Sequence, residues 1–83
     1  MSEIHAVQAK AREYGLAVYR SSRKDKKFMI FLDGKRIHFG DAAYEDFTSH
    51  RDEARRARFQ KRNARWAAAP QFTPAWLSYH WLW

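Results

Sequence analysis

The sequence predicts an α+β fold: an N-terminal helix, a three-stranded antiparallel meander, a long basic helix and a short aromatic C-terminal helix. Three observations predict it. Apolar residues Ile4, Val7 and Ala11 recur at helical spacing near the start. An Asp33-Gly34 pair separates two runs of strand character. From Thr48 to Trp66 there is neither Pro nor Gly, and helix formers dominate.

The first helix is expected over 2–14, with Ser2 as N-cap, Glu3 in the first turn and Gly15 just past its end. Residues 16–19, Leu-Ala-Val-Tyr, read as a first strand. The stretch 20–27 then carries five basic residues against one acid and reads as a cationic hairpin loop. Phe28 to Leu32 is β-branched and aromatic, as a second strand requires, and Asp33-Gly34 suits a type I′ turn. Residues 35–39 alternate polar and apolar, so Ile37 and Phe39 face a core while Arg36 and His38 face outward. Gly40 closes the sheet, and 41–47 is an acidic connector of net −3. The long helix is expected over 48–66, capped by Thr48 or Ser49, with Asp52 and Glu53 complementing its dipole. Ala67-Ala68-Ala69-Pro70 fades it out, and Thr73-Pro74 opens a short last helix to Trp83.

Length and charge bound the function. Eighty-three residues make one small domain, too short for a cofactor domain plus a substrate domain. The chain has no cysteine, which removes disulfides, thiolate zinc sites and thiol nucleophiles. A net charge of +7 points to an anionic partner. Aromatic residues make up 17% of the chain, which argues against disorder. The opening Met1-Ser2-Glu3-Ile4-His5 lacks a secretory pattern, and the longest apolar run, 28–32, is too short to span a bilayer. A soluble, intracellularly made chain is expected, with no membrane span.

On a helical wheel, Arg51, Arg55, Arg58, Arg62 and Arg65 fall on one stripe about 21 Å long. Phe59 and Trp66 lie beside the stripe. Like charges at these spacings repel by a few tenths of a kcal/mol per pair, so the stripe is solvated or matched by an anion. Arginine suits phosphate or carboxylate through its planar fork; Asp41, Glu45 and Asp46 are internal candidates for that pairing. Arg23, Lys24, Lys26 and Lys27 form a second cationic patch in the hairpin loop. Tyr19 and Phe28 beside that loop suggest base stacking, although a row of exposed aromatics on one sheet face is not evident in the sequence.

The last segment, 76–83, has only Ser78 and His80 as strongly polar residues. Two arrangements are open for it. It either caps this domain's own sheet or docks into a neighbouring subunit, with Trp76, Leu77, Tyr79, Trp81 and Trp83 as the interface. Each Trp or Tyr buries on the order of 150–250 Å², a surplus for so short a chain that favours residues 70–83 as a docking tail of the 1–83 domain. Catalytic signals are sparse. His5, His38, His50 and His80 show no metal-ligand spacing, no Gly-rich phosphate loop exists, and nothing in the sequence marks Ser21 or Ser22 of the hairpin loop as a nucleophile. Asp46, His50 and Asp52 lie close enough in sequence to mimic an acid/base cluster, but Asp46 and His50, at i and i+4, more often make a helix-start hydrogen bond. No catalytic residue, metal or cofactor is expected, and the chain reads as non-enzymatic.

Residues 34–40 (Gly34-Lys35-Arg36-Ile37-His38-Phe39-Gly40), followed by Tyr44-Glu45-Asp46-Phe47-Thr48 with His50 and Asp52, resemble a family of small basic proteins of large DNA viruses and phages. Arg55, Arg56, Phe59 and Arg62 match that family's Arg-rich helix, and Leu77, Ser78, Leu82 and Trp83 its closing segment. Asn63 stands where a His is common. The resemblance implies a virion location and a role as a minor structural component that docks on capsid-type subunits in multiple copies and contacts packaged DNA. The alternative is a free nucleic-acid-binding regulatory protein made during infection.

Overall fold

The structure is a computed structural model that describes residues 4–83, the Ser49 side chain excepted. Helix α1, Ile4–Arg12, presents Val7 and Ala11 fully buried, as the apolar spacing requires. The expected Ser2 cap lies outside the described residues. The helix ends in a Schellman arrangement in which the Leu16 amide donates to the Ala11 carbonyl and the Gly15 amide to Arg12.

Three antiparallel strands follow in the order β1-β2-β3: Val18–Arg20, Lys26–Leu32 and Lys35–Asp41. The meander is the expected one, with strand bounds shifted. β1 begins two residues later than its apolar run, because Leu16 serves the α1 cap. β2 begins two residues earlier, so Lys26 and Lys27 stand in the sheet instead of the loop. Asp33 and Gly34, at φ 52° and 77°, form the left-handed pair of a type I′ turn, which sets Leu32 opposite Lys35 and Phe28 opposite Phe39.

The inner sheet face carries Val18, Phe28, Ile30 and Phe39, all buried. α1 covers part of it. The rest is covered by helix α4, Pro74–Leu77, and the wide π-type turn Ser78–Leu82 that continues it. Thr73 caps α4 as expected, its hydroxyl accepting from the Trp76 amide with Pro74 in the first turn. Trp76, Leu77, Trp81 and Leu82 are at most 8% exposed. Trp81 is the centrepiece, with Phe39 at 6.0 Å, Trp76 at 6.0 Å and Phe72 at 6.4 Å between ring centroids. Among the described residues, 70–83 supply four of the ten buried hydrophobic residues of the chain's own core, which corrects the expectation of a projecting docking tail. The physical reason is that a single thin helix face leaves most of one sheet face uncovered, and the tail is the nearest apolar material. Lys10 Nζ ties the two covers together by donating to the His80 and Trp81 carbonyls. Burial, and then the nearby Arg56 and Arg51, lower the Lys10 pKa below its ordinary value.

The expected single helix over 48–66 is in fact three pieces: α2, Phe47–His50; α3, Glu53–Arg62; and a 3₁₀ segment, Ala64–Ala68. Two aspartates break it. Asp46 caps α2 by accepting from the Thr48 amide at 2.9 Å and from the Thr48 hydroxyl, so Thr48 is inside the turn and is not its cap. Arg51 then takes a left-handed φ of 56°. Asp52, in extended conformation, restarts the helix by accepting from the Ala54 and Arg55 amides.

Gly40 shows how closely the tail sits on the sheet. It lies within β3 at φ 83°, and a Cβ there would stand 2.8 Å from Leu82 Cδ1 and 3.3 Å from Lys27 Cβ. Gly34 has a similar φ, 77°, but open space around it. Gly40→Ala is therefore expected to cost about 2–3 kcal/mol, strain plus crowding, and Gly34→Ala about 1 kcal/mol, strain alone. Urea unfolding of the two variants measures the difference; equal losses would show that the tail does not press on the sheet at this point.

Candidate functional site: a basic groove with an aromatic wall

A groove of about 740 Å³ opens between the Lys26/Asp41 end of the sheet, the acidic connector, α3 and the tail. Its making starts with Asp46. The carboxylate is 1% exposed by residue, and Lys27 Nζ, on β2, donates to Oδ2 at 2.7 Å while Thr48 occupies Oδ1. The pair pins the connector and α2 to the sheet. A buried pair of this kind is costly to desolvate but more costly to break from one side. Its second effect is positional, because the α2 turn it fixes decides where Asp52 starts α3.

α3 then lays three of its arginines along the groove. Arg55, Arg58 and Arg62 line it, with Lys26 and Lys27 on the sheet side. Glu45 Oε1 is 4.0 Å from Arg55, an exposed and weak pairing. Among the described residues, Arg58 and Arg62 make no ion pair. No side chain of α3 is fully buried, and the helix is held by its aromatic, Phe59. That ring stacks on Trp83 at 4.2 Å and 5°, with Trp66 edge-on at 5.8 Å. All three rings line the groove, so guanidinium groups and an aromatic wall border one space. Tyr44, 71% exposed, stands on the rim.

The five-arginine stripe expected from the helical wheel is thus reduced to three. Arg51 sits at the left-handed break with its guanidinium 5.8 Å from the Phe47 ring, and Arg65 is exposed in the 3₁₀ segment outside the groove. The helix restart at Asp52 and the tightened turn after Asn63 rotate both out of line. In the hairpin loop Arg23 makes a bidentate pair with Asp25, Lys24 is exposed, and Lys26 and Lys27 belong to the groove. Of the expected interface residues, Trp76, Leu77 and Trp81 are buried in the chain's own core. Tyr79 and Trp83 are half-buried against Phe59.

The Asp46/His50 pair does not form an acid/base site. The His50 amide donates to the Asp46 carbonyl, but its Nδ1 accepts from the Asp52 amide at 2.9 Å, which assigns the proton to Nε2. Among the described residues Nε2 is buried without a hydrogen-bond partner, and the ring leans on Trp83 at 5.1 Å. Among the described residues no group of three His, Cys, Asp or Glu side chains is placed to hold a metal ion. The keystone role of Asp46 was not read from the sequence, although the Asp-x-Thr spacing of a capping turn marks it.

Two outcomes follow. Asp46→Ala is expected to destabilise the chain by about 3–5 kcal/mol, since it strands Lys27 and uncaps α2. Asp46→Asn costs less because its amide oxygen still accepts from Thr48; urea denaturation of both checks the order. Asp52 is exposed, and the Arg55 and Ala54 amides, aided by Arg58 and His50, hold its pKa below the ordinary 3.8. A depressed carboxylate stabilises the fold above its unfolded pKa, and that contribution is lost as pH falls through the folded value. The Ala54 and Arg55 amide resonances are therefore expected to titrate with a midpoint below 3.8 and to lose that transition in Asp52→Ala.

No curated protein and no solved structure matches the chain. One protein family does: DUF5754, a family of unknown function, matches residues 16–63. That span takes in the whole sheet, the acidic connector, α2 and α3, and with them every cation that lines the groove. With more than half of its length matched, the chain belongs to the DUF5754 family.

Proposed function

We propose that the chain is a non-enzymatic protein of a DNA virus or phage that binds nucleic-acid phosphates through the groove between α3 and the sheet. The observation that carries this reading is the placement of Arg58 and Arg62, without ion pairs among the described residues, beside Lys26. Guanidinium groups left without carboxylates on one wall of an open groove suit phosphate oxygens, which accept bidentate hydrogen bonds. The net charge of +7 steers a polyanion toward any face of the molecule. Nothing in the groove reads bases in a duplex, so the contact positions the partner without selecting its sequence. The engagement of Asp46 by Lys27 and Thr48, and of His50 by Asp52, supports a binding role over a catalytic one.

The virion setting is carried by the resemblance of the 34–48 motif. Within that setting the partner is packaged DNA, since Trp76, Leu77 and Trp81, expected at a capsid interface, are buried in the chain's own core, and Tyr79 and Trp83 pack on Phe59. A free regulatory protein made during infection would use the same groove, and the presence or absence of the chain in purified particles separates the two.

Binding to a labelled oligonucleotide, followed by anisotropy across a salt series, tests the groove. Log affinity is expected to fall with log salt by about 0.9 per phosphate neutralised. Arg58→Ala with Arg62→Ala is expected to weaken binding and to reduce that slope by about 2, with no loss of thermal stability because both side chains are exposed. A flat salt response, or an unchanged slope in the double variant, would overturn the reading.

A further inference from the structure

The sheet has a second face on which, among the described residues, only the start of the 21–25 loop folds. Its outward residues fall in two rows set by the strand register. Tyr19, Met29 and His38 lie side by side across all three strands, and Phe31 with Arg36 forms the next row. Tyr19 is 50% exposed and Phe31 46% exposed, with their rings edge-to-face at 5.7 Å. Ser21 Oγ is 2.7 Å from His38 Nδ1 and Ser22 Oγ lies against Met29 Sδ, so the start of the cationic loop folds onto this face. The Arg36 guanidinium stands 5.7 Å from the Phe31 centroid, and Lys24 is exposed on the loop.

We infer that this face is a stacking platform for the unpaired bases of single-stranded nucleic acid. Two exposed rings, with a half-buried imidazole beside them, on an antiparallel sheet offer π faces to bases, and every base has one. Paired bases are already stacked inside a duplex and cannot reach such a surface, so the platform selects strandedness. The cations beside it decide the occupant: a second copy of a chain with net charge +7 is repelled, whereas a phosphodiester strand is attracted. The loop over 21–25 leads from the strand carrying Tyr19 to Lys26 on the groove, which places the two surfaces in chain continuity. The inference extends the groove reading, which by itself concerns phosphates and does not distinguish one strand from two.

The experiment compares an oligo(dT) strand with a duplex of equal length, using the full chain and the variants Tyr19→Thr and Phe31→Thr, in which threonine keeps strand preference at exposed positions. The wild type is expected to favour the single strand, and each variant to lose about tenfold for it while duplex affinity and the salt slope stay unchanged. Amide shifts at Tyr19, Met29, Phe31 and His38 on titrating the wild type with oligo(dT) give a second readout independent of the variants. Equal binding of both forms, with no change in the variants and no shifts at these amides, overturns the platform and leaves the groove standing. Absence of binding to either form overturns both. Concentration-dependent self-association abolished by Phe31→Thr would assign the face to a second copy and overturn the platform.

Discussion

A three-stranded sheet with one apolar face has to cover that face, and in this chain the requirement organises everything else. α1 supplies only Val7 and Ala11 as fully buried contacts, and the chain has no cysteine to staple what is left open. The aromatic end of the chain closes the gap, with Trp81 placed among Phe39, Phe72 and Trp76. Burial of a ring of this size removes on the order of 150–250 Å² from water. A tail that looked like surplus apolar surface is thus the minimum needed for a core. Gly40 fits the same constraint, since a side chain in β3 at that point would meet Leu82.

The Asp46–Lys27 pair converts that packed core into a shaped surface. It joins the sheet to the acidic connector, caps the four-residue α2 and sets the left-handed step at Arg51 from which Asp52 starts α3. Helix α3 has no fully buried residue of its own and stays in place through this tether and the Phe59–Trp83 stack. Its polar face is therefore free to border a groove instead of a core. Three aromatic groups, Phe59, Trp66 and Trp83, do double service there: they anchor the helix and form a wall of the cavity. The family match ends at residue 63, so it contains the groove's cations but not Trp66 or Trp83.

The two surfaces proposed for nucleic acid differ in physical character. The groove offers charge that is left over after Asp46 and Glu45 have taken Lys27 and Arg55. The outer sheet face offers rings whose exposure follows from the pleat: every second residue of β1 and β2 points away from the core. Cations flank both, so electrostatic attraction is common to them, while stacking belongs to the sheet alone.

The sequence by itself determined the local elements, because their causes are local. Apolar spacing set α1, the Asp-Gly pair set the hairpin and its register, Thr73-Pro74 set the start of α4, and the inward placing of Phe39 came from alternation. Tertiary structure decided the rest. One continuous helix over 48–66 was the economical reading of a Pro- and Gly-free stretch, but Asp46 prefers a buried cap and an ammonium partner contributed by a strand nineteen residues earlier. That long-range pairing, through the helix restart at Asp52, removed Arg51 from the stripe, the tightened turn after Asn63 removed Arg65, and Arg55, Arg58 and Arg62 were left in the groove. The destination of the aromatic tail was equally undecidable from composition, since apolar rings serve a core and an interface alike. Phe31 instead of Phe28 joins Tyr19 on the open face because strand register, a property of paired chains, decides which ring points outward.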